Sequence, residues 1–108
     1  MAQFFVDEDG CHYGSIPTLP LIFKSYALCA FKSIGYADTG YRYFKKIGQV
    51  VRIIEPDDPA HSWWEVQKAD GYVTPRPMDT IVIVSFPEIG EEQFLPKDLV
   101  HVIPISLN

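Results

Sequence analysis

The chain opens on a short apolar run, Phe4-Phe5-Val6, halted by Asp7-Glu8-Asp9-Gly10, which reads as a strand ending in a turn. From residue 20 the period changes. Phe23, Ala27, Ala30, Phe31 and Ile34 recur at helical spacing, Tyr26 and Leu28 widen the stripe, and Lys24, Ser25, Lys32 and Ser33 fall off it. Thr18 suits an N-cap, Pro20 a first helical turn and Gly35 a C-cap, so the pattern predicts a helix over residues 20–34. Residues 36–44 are ambiguous: Asp38 could cap a short helix, and Gly40 weakens it.

Beyond residue 45 the pattern is that of strands. Gln49-Val50-Val51-Arg52-Ile53-Ile54 is rich in branched residues and is broken by Glu55-Pro56-Asp57-Asp58-Pro59. Trp63 to Lys68 reads as a second strand, with a turn signal at Asp70-Gly71. Pro75 and Pro77 exclude an internal strand between them, since each removes a ladder donor. Thr80–Phe86, Gln93–Leu95 and Leu99–Ile103 complete the set. The expected fold is therefore α+β, one domain over residues 1–108. A helical part, 1–44, packs an N-terminal helix on a small, bent antiparallel sheet or barrel of about five strands in 45–108.

One strand carries a further implication. Ile81 and Ile83 share one face, while Val82, Val84 and Phe86 share the other, so this strand needs cover on both sides. The helix over 20–34 or a second subunit would supply it, and the breadth of the helical stripe also favours a covered interface. A homo-oligomer is the expectation.

Composition adjusts this picture in two respects. With 108 residues, 47% hydrophobic and 21% charged, the chain has the makeup of a folded domain. No apolar run approaches the ~20 residues of a membrane helix, and no basic stretch precedes an apolar one at the start, so a cytoplasmic protein with no membrane contact is expected. The formal charge is −5, but unevenly placed. Residues 1–54 hold six basic against four acidic side chains, and residues 55–108 hold three against ten. That balance disfavours broad nucleic-acid binding, whose affinity comes from neutralising phosphates.

Residues 45–54 and 63–103 resemble a small Src-homology-3-like barrel, the fold of KOW, Tudor-like and signalling adaptor modules. Lys45-Lys46-Ile47-Gly48-Gln49-Val50-Val51-Arg52-Ile53 looks like the opening basic-x-Gly-x-apolar strand, and Trp63-Trp64-Glu65-Val66 like the adaptor version's double-aromatic strand. Phe94-Leu95-Pro96-Lys97-Asp98-Leu99-Val100 is similar to the closing 3₁₀ turn and last strand. The adaptor family places a groove tyrosine after the 3₁₀ proline, where Leu99 stands here, and residues 69–80 replace a tight hairpin. The resemblance thus implies a barrel without the usual proline-peptide groove.

The candidate site follows from strand alternation. Trp64 and Val66 share a face, as do Trp63, Glu65 and Gln67, and the polar company places Trp63 outside. An exposed tryptophan is a strong recognition anchor. Binding residues are assigned as Trp63 and Glu65, with His61 in the Glu55–Ser62 loop, Tyr72, and the connector aromatics Tyr41 and Tyr43 at the margin. Tyr36, Tyr41, Tyr43 and Phe44 beside Arg42, Lys45 and Lys46 also suit base stacking and phosphate contact. Cys11, His12, Cys29, His61 and His101 lack the paired spacing of a zinc site, and Asp7-Glu8-Asp9-Gly10 lacks the closing acidic ligand of a calcium loop, so no metal or other cofactor is expected. No nucleophile elbow, P-loop or dinucleotide fingerprint is present, and no catalytic residue is assigned. The leading expectation is a binding module for a protein or small ligand. The alternatives are a small-molecule binder or minor enzyme with a pocket between helix and sheet, and a KOW- or Tudor-like nucleic-acid domain. Chains of this size are also frequent among mobile-element and phage products, a prior that rests on no residue here.

Overall fold

The computed structural model describes residues 4–6, 9–16, 18–29, 46–68 and 71–105. They form nine strands: β1 (Phe4–Val6), β2 (His12–Ser15), β3 (Tyr26–Cys29), β4 (Ile47–Ile54), β5 (Val66–Lys68), β6 (Gly71–Val73), β7 (Ile81–Phe86), β8 (Gly90–Phe94) and β9 (Leu99–Pro104). Two 3₁₀ turns, Pro59–Trp63 and Pro96–Asp98, interrupt them. Seven strands make one antiparallel sheet in the order β1-β2-β9-β3-β4-β7-β8, and β5 and β6 form a separate hairpin.

The N-terminal helix is overturned, and with it the α+β assignment and the helical 1–44 part. Tyr26–Cys29 is a strand in the middle of the sheet, paired with β4 and β9. The segment before it is a tight turn: the Ser25 amide donates to the Ile22 carbonyl, and Lys24 takes a positive φ of 72°. A residue in that left-handed region ends any right-handed helix. Residues 30–35, the rest of the expected helix, and the ambiguous connector lie outside the described residues. The run Tyr26-Ala27-Leu28-Cys29 is apolar throughout because the strand has neighbours on both sides and cover on both faces. Ala27 is buried in the core with Val50, and Leu28 with Ile47 and Val102. Continuous apolar runs of this kind do not distinguish a buried strand from a buried helix.

The β-rich half runs closer to expectation. β4, β7, β8 and β9 fall where branched and aromatic residues placed them, with β8 beginning earlier, at Gly90. β4 pairs with β7, and its register shifts between Val50 and Arg52. That extra residue lets Val50 and Ile53 point into the same core although they are an odd number of positions apart. On that face Val82, Val84, Phe86, Phe94 and Leu99 are buried with them, and Phe86 meets Phe94 edge to face at 6.0 Å. The second face of β7, Ile81 and Ile83, is covered by Val66, Leu95 and Trp64. Among the described residues this cover comes from the chain's own β5, Leu95 and Trp64.

Candidate functional site

The expected strand over Trp63–Lys68 begins only at Val66. Residues 59–63 are instead a 3₁₀ turn with a clear sequence logic. Pro59 starts it at a position that needs no donor, and Asp58 caps it, its carboxylate accepting from the Ala60 amide at 2.8 Å. Ala60 and His61 are buried inward. His61 Nε2 donates to the carbonyl oxygen of Asp79, a partner that only accepts, which places the proton on Nε2. This bond ties the 59–63 turn to the loop before β7. The second loop is itself closed: the Asp79 amide donates to the Arg76 carbonyl, the Arg76 amide to Asp79 Oδ2 at 2.8 Å, and the Arg76 guanidinium to Asp79 Oδ1 at 3.0 Å. The Arg76 donors hold the Asp79 carboxyl below the ordinary carboxylate value, and the same pairing raises the Arg76 guanidinium. Thr80 Oγ1 also donates to Glu55 Oε2 at 3.2 Å, joining the bases of the two loops.

From this braced pair Trp63 projects with 77% of its surface exposed, and Met78 on the second loop is 71% exposed. Trp64 continues in extended backbone (φ −110°, ψ 140°), so its side chain turns inward onto the Ile81, Ile83 and Val66 cluster while Trp63 and Glu65 on either side stay exposed. The inward-outward split expected of a strand is reproduced here by a different backbone. Trp64 Nε1 is buried without a hydrogen-bond partner among the described residues.

Glu65 and Tyr72 are brought together indirectly. Gln93 turns its Nε2 to donate to the Glu65 carbonyl (3.3 Å) and to Glu92 Oε1 (3.0 Å). Tyr72, about half exposed on β6, donates its hydroxyl to Glu92 Oε2 at 2.6 Å. His61 is buried, with its ring engaged by the Asp79 carbonyl. Tyr41 and Tyr43 lie outside the described residues, as do Arg42 and Lys45 of the basic cluster. Arg52, the cluster's far member, faces Asp58 at 3.8 Å.

Sequence reasoning missed Asp79, Met78, Glu92 and Gln93. Of these, Glu92 left a trace: it shares strand parity with Phe94, whose neighbours are core residues, and a carboxylate at an inward position needs a donor. Met78 and Asp79 left none, because only the β4–β7 pairing sets their loop beside the 59–63 turn.

Apart from this surface, a concavity of about 430 Å³ opens between the Asp9–Cys11 segment and the sheet. Tyr13, Tyr26, Ile47, Gln49, Val51 and Ser85 line it, with Tyr13 and Tyr26 rings 5.8 Å apart. The expected pocket between helix and sheet loses its helical wall among the described residues, because Tyr26–Cys29 is a strand. Among the described residues no three His, Cys, Asp or Glu side chains converge, and no helix is long and apolar enough to cross a membrane. Comparison with protein-family models, with curated proteins and with solved structures gives no match.

Proposed function

We propose that the chain is a binding module whose recognition surface is the braced loop pair carrying Trp63 and Met78. The observation that carries this reading is the contrast within one 3₁₀ turn: Ala60 and His61 are buried and locked while Trp63, two residues on, is 77% exposed. A large aromatic carried on a backbone that is braced before binding needs less ordering on association, which is how a preformed turn contributes affinity. The Src-homology-3-like reading belongs to the same proposal. The 3₁₀ turn Pro96–Asp98 between β8 and β9 supports it, whereas the matched Trp63–Val66 segment is a strand only from Val66 and the sheet has seven strands in place of the expected five. Leu99 is buried in the core, so the family's groove-tyrosine position presents nothing to a proline-rich ligand.

Acrylamide quenching of wild type against Trp63→Phe tests whether this surface is open in the purified protein. The expected result is one readily quenched tryptophan that the substitution removes. A pull-down with Trp63→Ala as control should then lose a partner that wild type captures. Two shielded tryptophans in wild type would end the reading.

A small-molecule function is the second reading, supported by the cleft beside Tyr26, whose size lies in the range of ligand sites. A fragment screen by NMR would favour it if shifts gather at Gln49 and Ser85 and leave Trp63 unmoved.

A further inference from the structure

We infer that the Trp63 surface recognises an arginine-bearing segment of a partner protein. The inference rests on the binding-module reading and adds the partner's chemistry. The loop that presents Trp63 is acidic along its whole length: Glu55, Asp57, Asp58 and Glu65 lie in residues 55–65, with no lysine or arginine among them. Two cations near these loops already face carboxylates: Arg76 is held by Asp79 and Arg52 faces Asp58. Asp57 and Glu65 are exposed and have no cationic partner among the described residues, and Glu65 flanks Trp63 on the same outward side.

An exposed indole on a segment that also exposes Asp57 and Glu65 is complementary to one side chain above others. A guanidinium stacks flat on the ring, its N–H fork reaches a carboxylate in two-point geometry, and its methylene stem covers apolar surface such as Met78. An ammonium supplies the charge without the plane or the fork. A nucleic-acid backbone would meet the same carboxylates as repulsion.

Three probes test this by calorimetry or fluorescence at low and at physiological ionic strength: blocked peptides of equal length built from Arg-Gly, Lys-Gly and Glu-Gly repeats. Wild type should bind the Arg-Gly peptide best and the Lys-Gly peptide more weakly, with affinity falling as salt rises. Trp63→Ala and the double variant Asp57→Asn/Glu65→Gln should each bind the Arg-Gly peptide at least ~10-fold more weakly, with thermal melts unchanged. Equal binding by Trp63→Ala and wild type overturns the inference, because the acidic charge alone would then account for the affinity. So does absence of Arg-Gly binding by wild type, or tighter, Trp63-dependent binding of single-stranded RNA. If Arg-Gly binding is absent while Trp63 is quenchable and its pull-down partner real, the arginine class fails and the binding surface stands. If Trp63 is shielded in the purified protein, both fall together.

Discussion

Phe86 and Phe94 meet edge to face where Val50, Val82 and Val84 are buried with them, whereas Trp63, beyond the end of β4, keeps 77% of its surface in solvent. Both regions are aromatic and both are held firmly, but by different means. The sheet face is held by close packing, with buried side chains from adjacent strands and, for β7, a ladder on each side. The loop pair is held by point contacts: one cap, one histidine bond and one arginine–carboxylate turn. Packing consumes the aromatic surface that it organises. Hydrogen bonds from small and polar neighbours can fix a backbone and leave the aromatic ring available. The difference shows where recognition is possible in a chain whose hydrophobic residues are otherwise committed to the core.

Perturbing the two regions should separate them by size and kind of effect. Phe94→Ala removes a fully buried ring, and a loss of about 3–5 kcal/mol is expected, read as a fall in the urea midpoint. Gly48→Ala should cost about 3 kcal/mol. A Cβ there would stand 2.5 Å from Val84 Cγ1 and 2.7 Å from the Ser85 carbonyl oxygen, and the latter is backbone that cannot swing aside. Either variant should lower stability with a native-like Trp63 environment in whatever fraction stays folded.

Asp58→Ala should cost about 1 kcal/mol, the usual loss for an N-cap, and should loosen the 59–63 turn. Its signature is faster amide exchange at Ala60 and His61 with β7 unaffected. Asp79→Asn probes the second brace through pH. The carboxyl is held below its ordinary 3.8 by the Arg76 donors, so its contribution is complete above that value and is lost as pH falls through the depressed one. The difference in melting temperature between wild type and Asp79→Asn should be constant above about pH 5 and shrink below about pH 4. A difference that grows on acidification would show that the pairing is not what holds the loop. Trp63→Ala should be the mildest for stability, within about 0.5 kcal/mol, because the ring leaves little contact behind. A cost of 2 kcal/mol or more, roughly the burial of a large side chain, would mean that Trp63 is covered in solution.

Much of the β-rich half was legible because its signals are local. Branched residues over 49–54 and 81–86, prolines at 75 and 77 and Pro96 before Leu99 each act on their own backbone, and β4, β7 and β9 fall where those residues put them. β2 was not legible: His12-Tyr13-Gly14-Ser15 has no strong alternation, and it becomes a strand by pairing with β1 and β9. β6 likewise exists through its pairing with β5. β3 misled for the opposite reason, since apolar residues at nearly every position fit a helical stripe as well as a doubly buried strand. The outward placement of Trp63 was inferred from its polar neighbours, while the turn that presents it was not, because the His61–Asp79 bond spans 18 residues.

Single residues and their nearest neighbours therefore decided which stretches extend, where they break and how unevenly the charge is divided. Strand order, the pairing of Tyr26–Cys29 into the sheet's centre and the docking of one loop against another depended on contacts between distant segments. Each such contact becomes favourable only once the chain has brought both partners together, and no short window of residues contains both.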